Sequence, residues 1–262
     1  IYKQNNRDEE WVKSTDVFAY IASLFFIIHP AQVEGVVWIS SLKGILATFW
    51  GLVSMLVYLN SDEGNEKKRL ILVTLFLTFG ILSKPSVAIL PFIYIVFDLV
   101  LFHHSFKKTL FRNLHYIFIG TIIVVLQLIE YRPDVAEAET VTPVMKGLLI
   151  MTTLSNYLKL VIFPKTLVFD YQINYSVIKH ILKTDHTTLR INLLVSLIFI
   201  WGVLFTVVRE KWRRYGVVLF VFIIALSVNV GIIDYDFLRV SSVADRYLYT
   251  PLVGISIFIF FV

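Results

Sequence analysis

Three short stretches hold polar residues of the types that handle phosphate and move protons. The first is His29-Pro30-Ala31-Gln32-Val33-Glu34, continuing through Trp38 to Lys43. The second is Ser83-Lys84-Pro85, and the third is Ala244-Asp245-Arg246-Tyr247. Glu34 and Asp245 are carboxylates, and a carboxylate can take the proton from an attacking hydroxyl. Lys43, Lys84 and Arg246 are cations, and cations stabilise the charge that builds on a departing phosphate. Arg246 can form a two-pronged contact to phosphate, with Asp245 beside it to fix its geometry. His29 and Tyr247 complete the candidate set. Brought to one membrane face, such a group suits a phosphate-bearing amphiphile. Each member also has a plain structural reading. His29 and Glu34 can cap helix ends, Lys84 can snorkel to the interface, and an exposed Asp-Arg pair contributes little. Asp98 lies near the inner end of its helix and reads as structural.

The elements that must position these residues are membrane helices. Of the 262 residues 57% are hydrophobic, and the mean hydropathy is +0.76. A soluble domain of this size could not cover that much apolar surface. Backbone in lipid must satisfy its own hydrogen bonds, which leaves helices or a closed barrel. The apolar runs are continuous rather than alternating, so an all-α, polytopic helical membrane protein is expected. Eight candidate spans cover 16–29, 44–59, 70–83, 86–102, 116–129, 191–208, 216–233 and 251–262. The net charge of +5 does not point to nucleic acid, because the Lys and Arg residues sit at helix ends. Without cysteine, disulfides and thiolate metal sites are excluded. Glycine-rich phosphate loops, dinucleotide fingerprints and internal repeats are not evident.

The basic clusters orient the chain. Lys3, Arg7 and Lys13, then Lys67-Lys68-Arg69, then Lys107, Lys108 and Arg112 fall inside. The stretch from His29 to Lys43, Lys84 and the acidic loop 134–139 fall outside. The apolar stretch 147–163 breaks the alternation: if it spans, Arg209 to Arg214 lands outside. Reading it as an interfacial or re-entrant helix, consistent with Asn156 and Lys159 in its interior, restores the pattern. Residues 131–190 then form one long external loop carrying that helix.

Four ordered stretches carry a family resemblance. They are His29-Pro30-Ala31-Gln32-Val33-Glu34-Gly35-Val36-Val37-Trp38-Ile39-Ser40, Leu82-Ser83-Lys84-Pro85-Ser86-Val87-Ala88-Ile89-Leu90-Pro91-Phe92, Tyr157-Leu158-Lys159-Leu160-Val161-Ile162-Phe163-Pro164, and Ala244-Asp245-Arg246-Tyr247-Leu248-Tyr249-Thr250-Pro251-Leu252-Val253-Gly254. The chain resembles bacterial multi-pass proteins with tetratricopeptide repeats, and through them the tetratricopeptide-containing O-mannosyltransferases of the GT-C glycosyltransferase class. The resemblance implies a partial GT-C-like transmembrane domain over 1–262 and transfer of a sugar from a polyprenyl-phosphate carrier. The acceptor would be a protein or glycan at the non-cytoplasmic face, in a bacterial inner membrane. It implies that Glu34, Asp245 and Arg246 occupy family motif positions. It also implies that the main catalytic acid and two helices precede Ile1, so that 1–262 alone is inactive. Gly44 stands where relatives often carry an acid. No cofactor is required by the motifs, and a divalent metal stays open. The alternative reading is a transporter or flippase for a lipid-linked or anionic substrate, which would place its charges near the bilayer midplane.

Overall fold

A computed structural model describes residues 16–60, 65–100, 102–130, 141–232 and 236–261. The N-terminal cations Lys3, Arg7 and Lys13 and the acidic loop 134–139 lie outside the described residues. Among the described residues the regular structure is entirely helical, with no strand. The helices are α1 (Asp16–Ile28), α2 (Gln32–Val37), α3 (Leu42–Asn60), α4 (Glu66–Ser83), α5 (Leu90–Val100) and α6 (Phe106–Glu130). They continue as α7 (Pro143–Ile162), α8 (Tyr175–Thr184), α9 (His186–Val208), α10 (Arg213–Ser227) and α11 (Pro251–Phe261). Short 3-10 turns at Ile39–Ser41, Pro85–Ile89, Asp236–Arg239 and Asp245–Leu248 punctuate them.

Among the described residues three helical segments are long and apolar enough to cross a membrane: Ile39–Asn60, Phe106–Gln127 and His186–Val208. Asp16–Ile28 and Pro85–Val100 are apolar but shorter. Every expected span thus overlaps a helix, while three segments among the described residues have the length and composition of a crossing. The α6 helix begins ten residues before the expected boundary, at Phe106, because its basic first turns are helical too. The α10 helix stops at Ser227, six residues short of the expected end.

Local chemistry sets the breaks. Pro85 forces Lys84 into extended backbone (φ −154°, ψ 125°), so α4 ends at Ser83. Pro30 does the same service after α1. Thr142, Asn174 and Asp185 each accept a backbone N–H three residues on, starting α7, α8 and α9.

Two packed groups make up the bundle. In one, α3, α4, α5 and α6 close around Tyr58, Val73, Leu77, Ile81, Tyr94 and Tyr116. In the other, α7, α9, α10 and α11 close around Leu154, Tyr157, Phe222, Leu226 and Leu252. The two meet where Ile93 and Phe97 of α5 pack on Val217 and Val221 of α10. Gly254 lets α11 approach α10 closely, since a Cβ there would lie 3.0 Å from the Phe222 nitrogen.

Asp98 anchors the end of α5 as a fully buried residue. Asn113 donates to it at 3.2 Å, Arg112 lies 3.7 Å away, and His104 lies 3.6 Å away. Its backbone carbonyl also accepts the His104 N–H. The α5–α6 connection is wound around this carboxylate, which agrees with its structural reading.

Candidate functional site

The candidate residues come from separate parts of the chain. Glu34 sits on α2, a helix of six residues between α1 and α3. Lys43 opens α3, and Lys84 lies between α4 and α5. Asp245, Arg246 and Tyr247 form the 3-10 turn Asp245–Leu248, which packs on α2. Its outer wall is the loop after α7, carrying Phe169 and Tyr171.

Arg246 is the hub. Its backbone N–H donates to Glu34 Oε2 at 2.9 Å, and its guanidinium Nη1 donates to Glu34 Oε1. Glu34 therefore caps the turn and neutralises its arginine together. The guanidinium lies 4.3 Å from the Trp38 ring centre, 4.2 Å from Phe237 and 4.9 Å from Tyr247. Phe169 approaches at 5.6 Å. Stacking on several rings and a charge-assisted pair leave this side chain little freedom.

Asp245 does not hold Arg246, contrary to the expectation from their adjacency. Neighbouring residues in a 3-10 turn point in different directions, and Asp245 turns instead to Tyr171, whose hydroxyl donates to Oδ1 at 2.7 Å. Burial pushes the Asp245 carboxyl up to about 6, and the Glu34 charge adds to this. Tyr171 and Arg246 oppose the shift without cancelling it.

A cavity of about 240 Å³ opens beside this hub, with Lys43, Lys84, Arg246, Trp38, Ser40, Ser41, Tyr247 and Tyr249 among its lining. All three candidate cations therefore border one space. Lys84 Nζ lies 5.2 Å from the Tyr247 ring centre. Burial lowers the Lys84 ammonium to about 8, with Lys43 and Arg246 pressing in the same direction. A site that disfavours its own cation in this way gains when an anion enters.

The carboxylates face elsewhere. Glu34 and Asp245 line a second, open cleft with Pro30, Val33, Val37, Leu167, Val168 and Phe169. Trp38 borders both spaces, while Arg246 lines the cation cavity and bonds to Glu34 of the cleft. Lys43 and Lys84 thus border one space and the acids another, with the Arg246–Glu34 pair joining them, so that the group is not gathered into a single vestibule.

His29 lies apart from both. It is buried, its Nδ1 accepts the Ala31 N–H at 3.2 Å, and its Nε2 pairs with the Val161 carbonyl at 3.1 Å. Those two contacts define the Nε2–H tautomer and satisfy a carbonyl in the last turn of α7. The expectation that His29 binds substrate is corrected here, because both ring nitrogens are occupied by backbone. Gly44 borders the cation cavity with open space where a Cβ would be.

The residues that sequence reasoning missed are Trp38, Phe169, Tyr171 and Phe237 around Arg246 and Asp245. Trp38 carried a signal, since it stands four residues after Glu34 on the same short segment. Tyr171 and Phe237 carried none. A divalent metal does not fit the acids as they stand. Both Glu34 oxygens are taken by Arg246, and one Asp245 oxygen by Tyr171. Among the described residues no group of three or more His, Asp or Glu could hold such an ion.

Comparison with models of known protein families, with curated proteins and with solved structures gave no match. What the structure itself defines is a helical protein with, among the described residues, three helices long and apolar enough to span a membrane.

Proposed function

We propose that the chain is a GT-C-type membrane glycosyltransferase domain. It transfers a sugar from a polyprenyl-phosphate donor to a protein or glycan hydroxyl at the non-cytoplasmic face. The observation that carries this reading is the shared cavity of Lys43, Lys84 and Arg246, beside a cleft holding Glu34 and Asp245. In the transfer, the acceptor oxygen bonds to the anomeric carbon as the bond from that carbon to the phosphate oxygen breaks. The phosphate leaves with the electron pair, and the acceptor proton passes to a carboxylate. Lys84 and Lys43 stabilise the departing phosphate. Arg246, already paired, holds the wall between donor and acceptor sides. Asp245 suits the base better than Glu34. Its carboxyl titrates at about 6 and keeps an oxygen free of protein charge pairs, whereas Glu34 is spent on Arg246.

The external assignment of 131–190 belongs to the same proposal. It draws support from α7, which stays bonded to site-end segments along its length. Thr153 pairs with Ser242, Tyr157 donates to the Ser242 carbonyl, and Val161 meets His29.

The test is transfer from a polyprenyl-phosphate sugar by the full-length protein in bilayer discs. Lys84→Met is expected to slow turnover by about tenfold to a hundredfold, the worth of one charge-assisted phosphate contact. Lys84→Arg recovers part of it. Wild-type turnover by Lys84→Met overturns the reading.

A further inference from the structure

At the end of α4 opposite to Lys84, the starts of α4 and α6 bring buried charge together without matching it. Arg69 of α4 is 6% exposed. Arg112 of α6 is mostly buried beside it, and both guanidinium carbons lie 5.8 Å from the centre of the Tyr58 ring. The buried carboxylate of this end, Asp98, stands 3.7 Å from Arg112 and 3.6 Å from His104. Among the described residues Arg69 forms no ion pair. Arginine does not shed its proton, so its guanidinium is a buried charge with no counter-charge, which is costly until one is supplied. Hydrogen-bonding capacity is left over at the same place. Arg69 Nε, Arg112 Nε, the Thr109 hydroxyl and His115 Nε2 are buried and have no hydrogen-bond partner among the described residues. Native proteins seldom leave such atoms unpaired. Arg69 is close enough to His115 and Tyr116 to act on both electrostatically. Two acceptors, Asp98 Oδ1 and Asn113 Oδ1, are unpaired as well, and a hydrated anion serves both kinds of atom.

The surroundings fit an anionic lipid better than a soluble anion. Lys67, Lys68 and Lys107 are exposed at the rim. The first turn of α6 carries no acid, although a helix start favours negative charge. Leu70, Phe106, Phe111 and Leu114 are exposed close to the buried arginines, so the cluster borders the hydrocarbon layer. The charge pattern orients this end to the cytoplasm, and basic pockets between helices on that side suit anionic head groups. We infer that the inner end of α4 and α6 holds the phosphate of an anionic lipid of the cytoplasmic leaflet, with Arg69 as its buried anchor. Arg112 and His115 stand beside that anchor, and the rim lysines draw the head group in. The site lies at the far end of α4 from the cation cavity and does not depend on the proposed function.

The experiment places the complete chain in bilayer discs of phosphatidylcholine alone, of phosphatidylcholine with phosphatidylglycerol, and of phosphatidylcholine with inorganic phosphate in the buffer. The unfolding midpoint and the retention of phosphatidylglycerol in native mass spectrometry are read. Phosphatidylglycerol should raise the wild-type midpoint, because a ligand of the folded state stabilises it, and inorganic phosphate should not. Arg69→Met should abolish the rise and weaken phosphatidylglycerol retention about tenfold, the worth of one charge-assisted contact. In phosphatidylcholine alone Arg69→Met should unfold no earlier than the wild type, since it removes an unmatched buried charge. A lower midpoint there means that protein already compensates Arg69, and overturns the inference. An equal rise in wild type and Arg69→Met also overturns it, leaving only the general attraction of a basic surface. An equal response to inorganic phosphate overturns the lipid assignment. The exposed pair Lys67→Gln and Lys68→Gln, which leaves the packed interior untouched, should weaken retention at low salt and not at high salt. Unchanged retention at low salt in that variant counts against the inference independently of Arg69.

Discussion

Asp245 is buried and stands beside Glu34, and both circumstances oppose its charge. The consequence for stability has a definite sign. The carboxyl moves from 3.8 in the unfolded chain to about 6 in the fold. Between those values the folded state holds a proton that the unfolded state releases. Stability therefore falls as pH rises from about 4 to about 6, and levels off above that window. Asp245→Asn removes this contribution, and equilibrium unfolding in detergent across pH 4–7 (~3 units) should show a flatter profile for the variant. An identical slope in the two proteins would place the titration elsewhere. Lys84 is shifted in the complementary sense, lowered to about 8, so an anion arriving in the cavity favours its charged form.

At the scale of elements, the Glu34–Arg246 pair is the fastening between α2 and the Asp245–Leu248 turn, which are 212 residues apart in sequence. Both side chains are mostly buried, at 12% and 9% exposure. Breaking such a pair from one side leaves an uncompensated charge and costs about 3 kcal/mol. Glu34→Gln and Arg246→Ala should each lower the unfolding midpoint. The double variant should lose less than the sum, with a coupling of at least ~1 kcal/mol in a double-mutant cycle. Additive losses would mean that the pair is not the fastening. The Asp98 cluster plays the same part at the far end of α5, where one carboxylate gathers Asn113, His104 and Arg112. A GT-C-like reading needs α2 held rigidly, because α2 carries one acid and leads directly to Trp38 and Lys43.

For the whole molecule, the orientation in the membrane is the open quantity, and the sequence itself supplies a clean test. Residues 1–262 contain no cysteine, so each introduced cysteine is the sole label site within them. In cells, Lys146→Cys lies in the first turn of α7, Lys165→Cys follows its end, and Lys211→Cys lies past α9. An impermeant thiol reagent should reach positions 146 and 165 from outside and position 211 only after permeabilisation. Labelling of 146 and 165 from opposite sides would make α7 a spanning helix and sink the interfacial reading.

Helix content and helix positions were legible in the sequence because apolar runs and proline breaks act locally. The expected spans all overlap helices, and Pro30 and Pro85 mark real ends. Crossing number was less legible, since helices such as α10, with 15 residues, are apolar yet short and partly sheltered by neighbours. The polar clusters were recognisable as a group, and the three cations do border one cavity. Pairing within the group was not recognisable. Adjacency in sequence suggested Asp245 as the partner of Arg246, but a 3-10 turn splays neighbouring side chains. The guanidinium is instead reached by Glu34, and Asp245 by Tyr171. His29 likewise stood in a motif, and only the approach of the α7 terminus shows that both its nitrogens serve the backbone. Residue type and local spacing determined which chemistry this chain carries. Contacts across dozens to hundreds of residues decided which carboxylate meets which cation, because side-chain direction and charge pairing are set by how the helices pack.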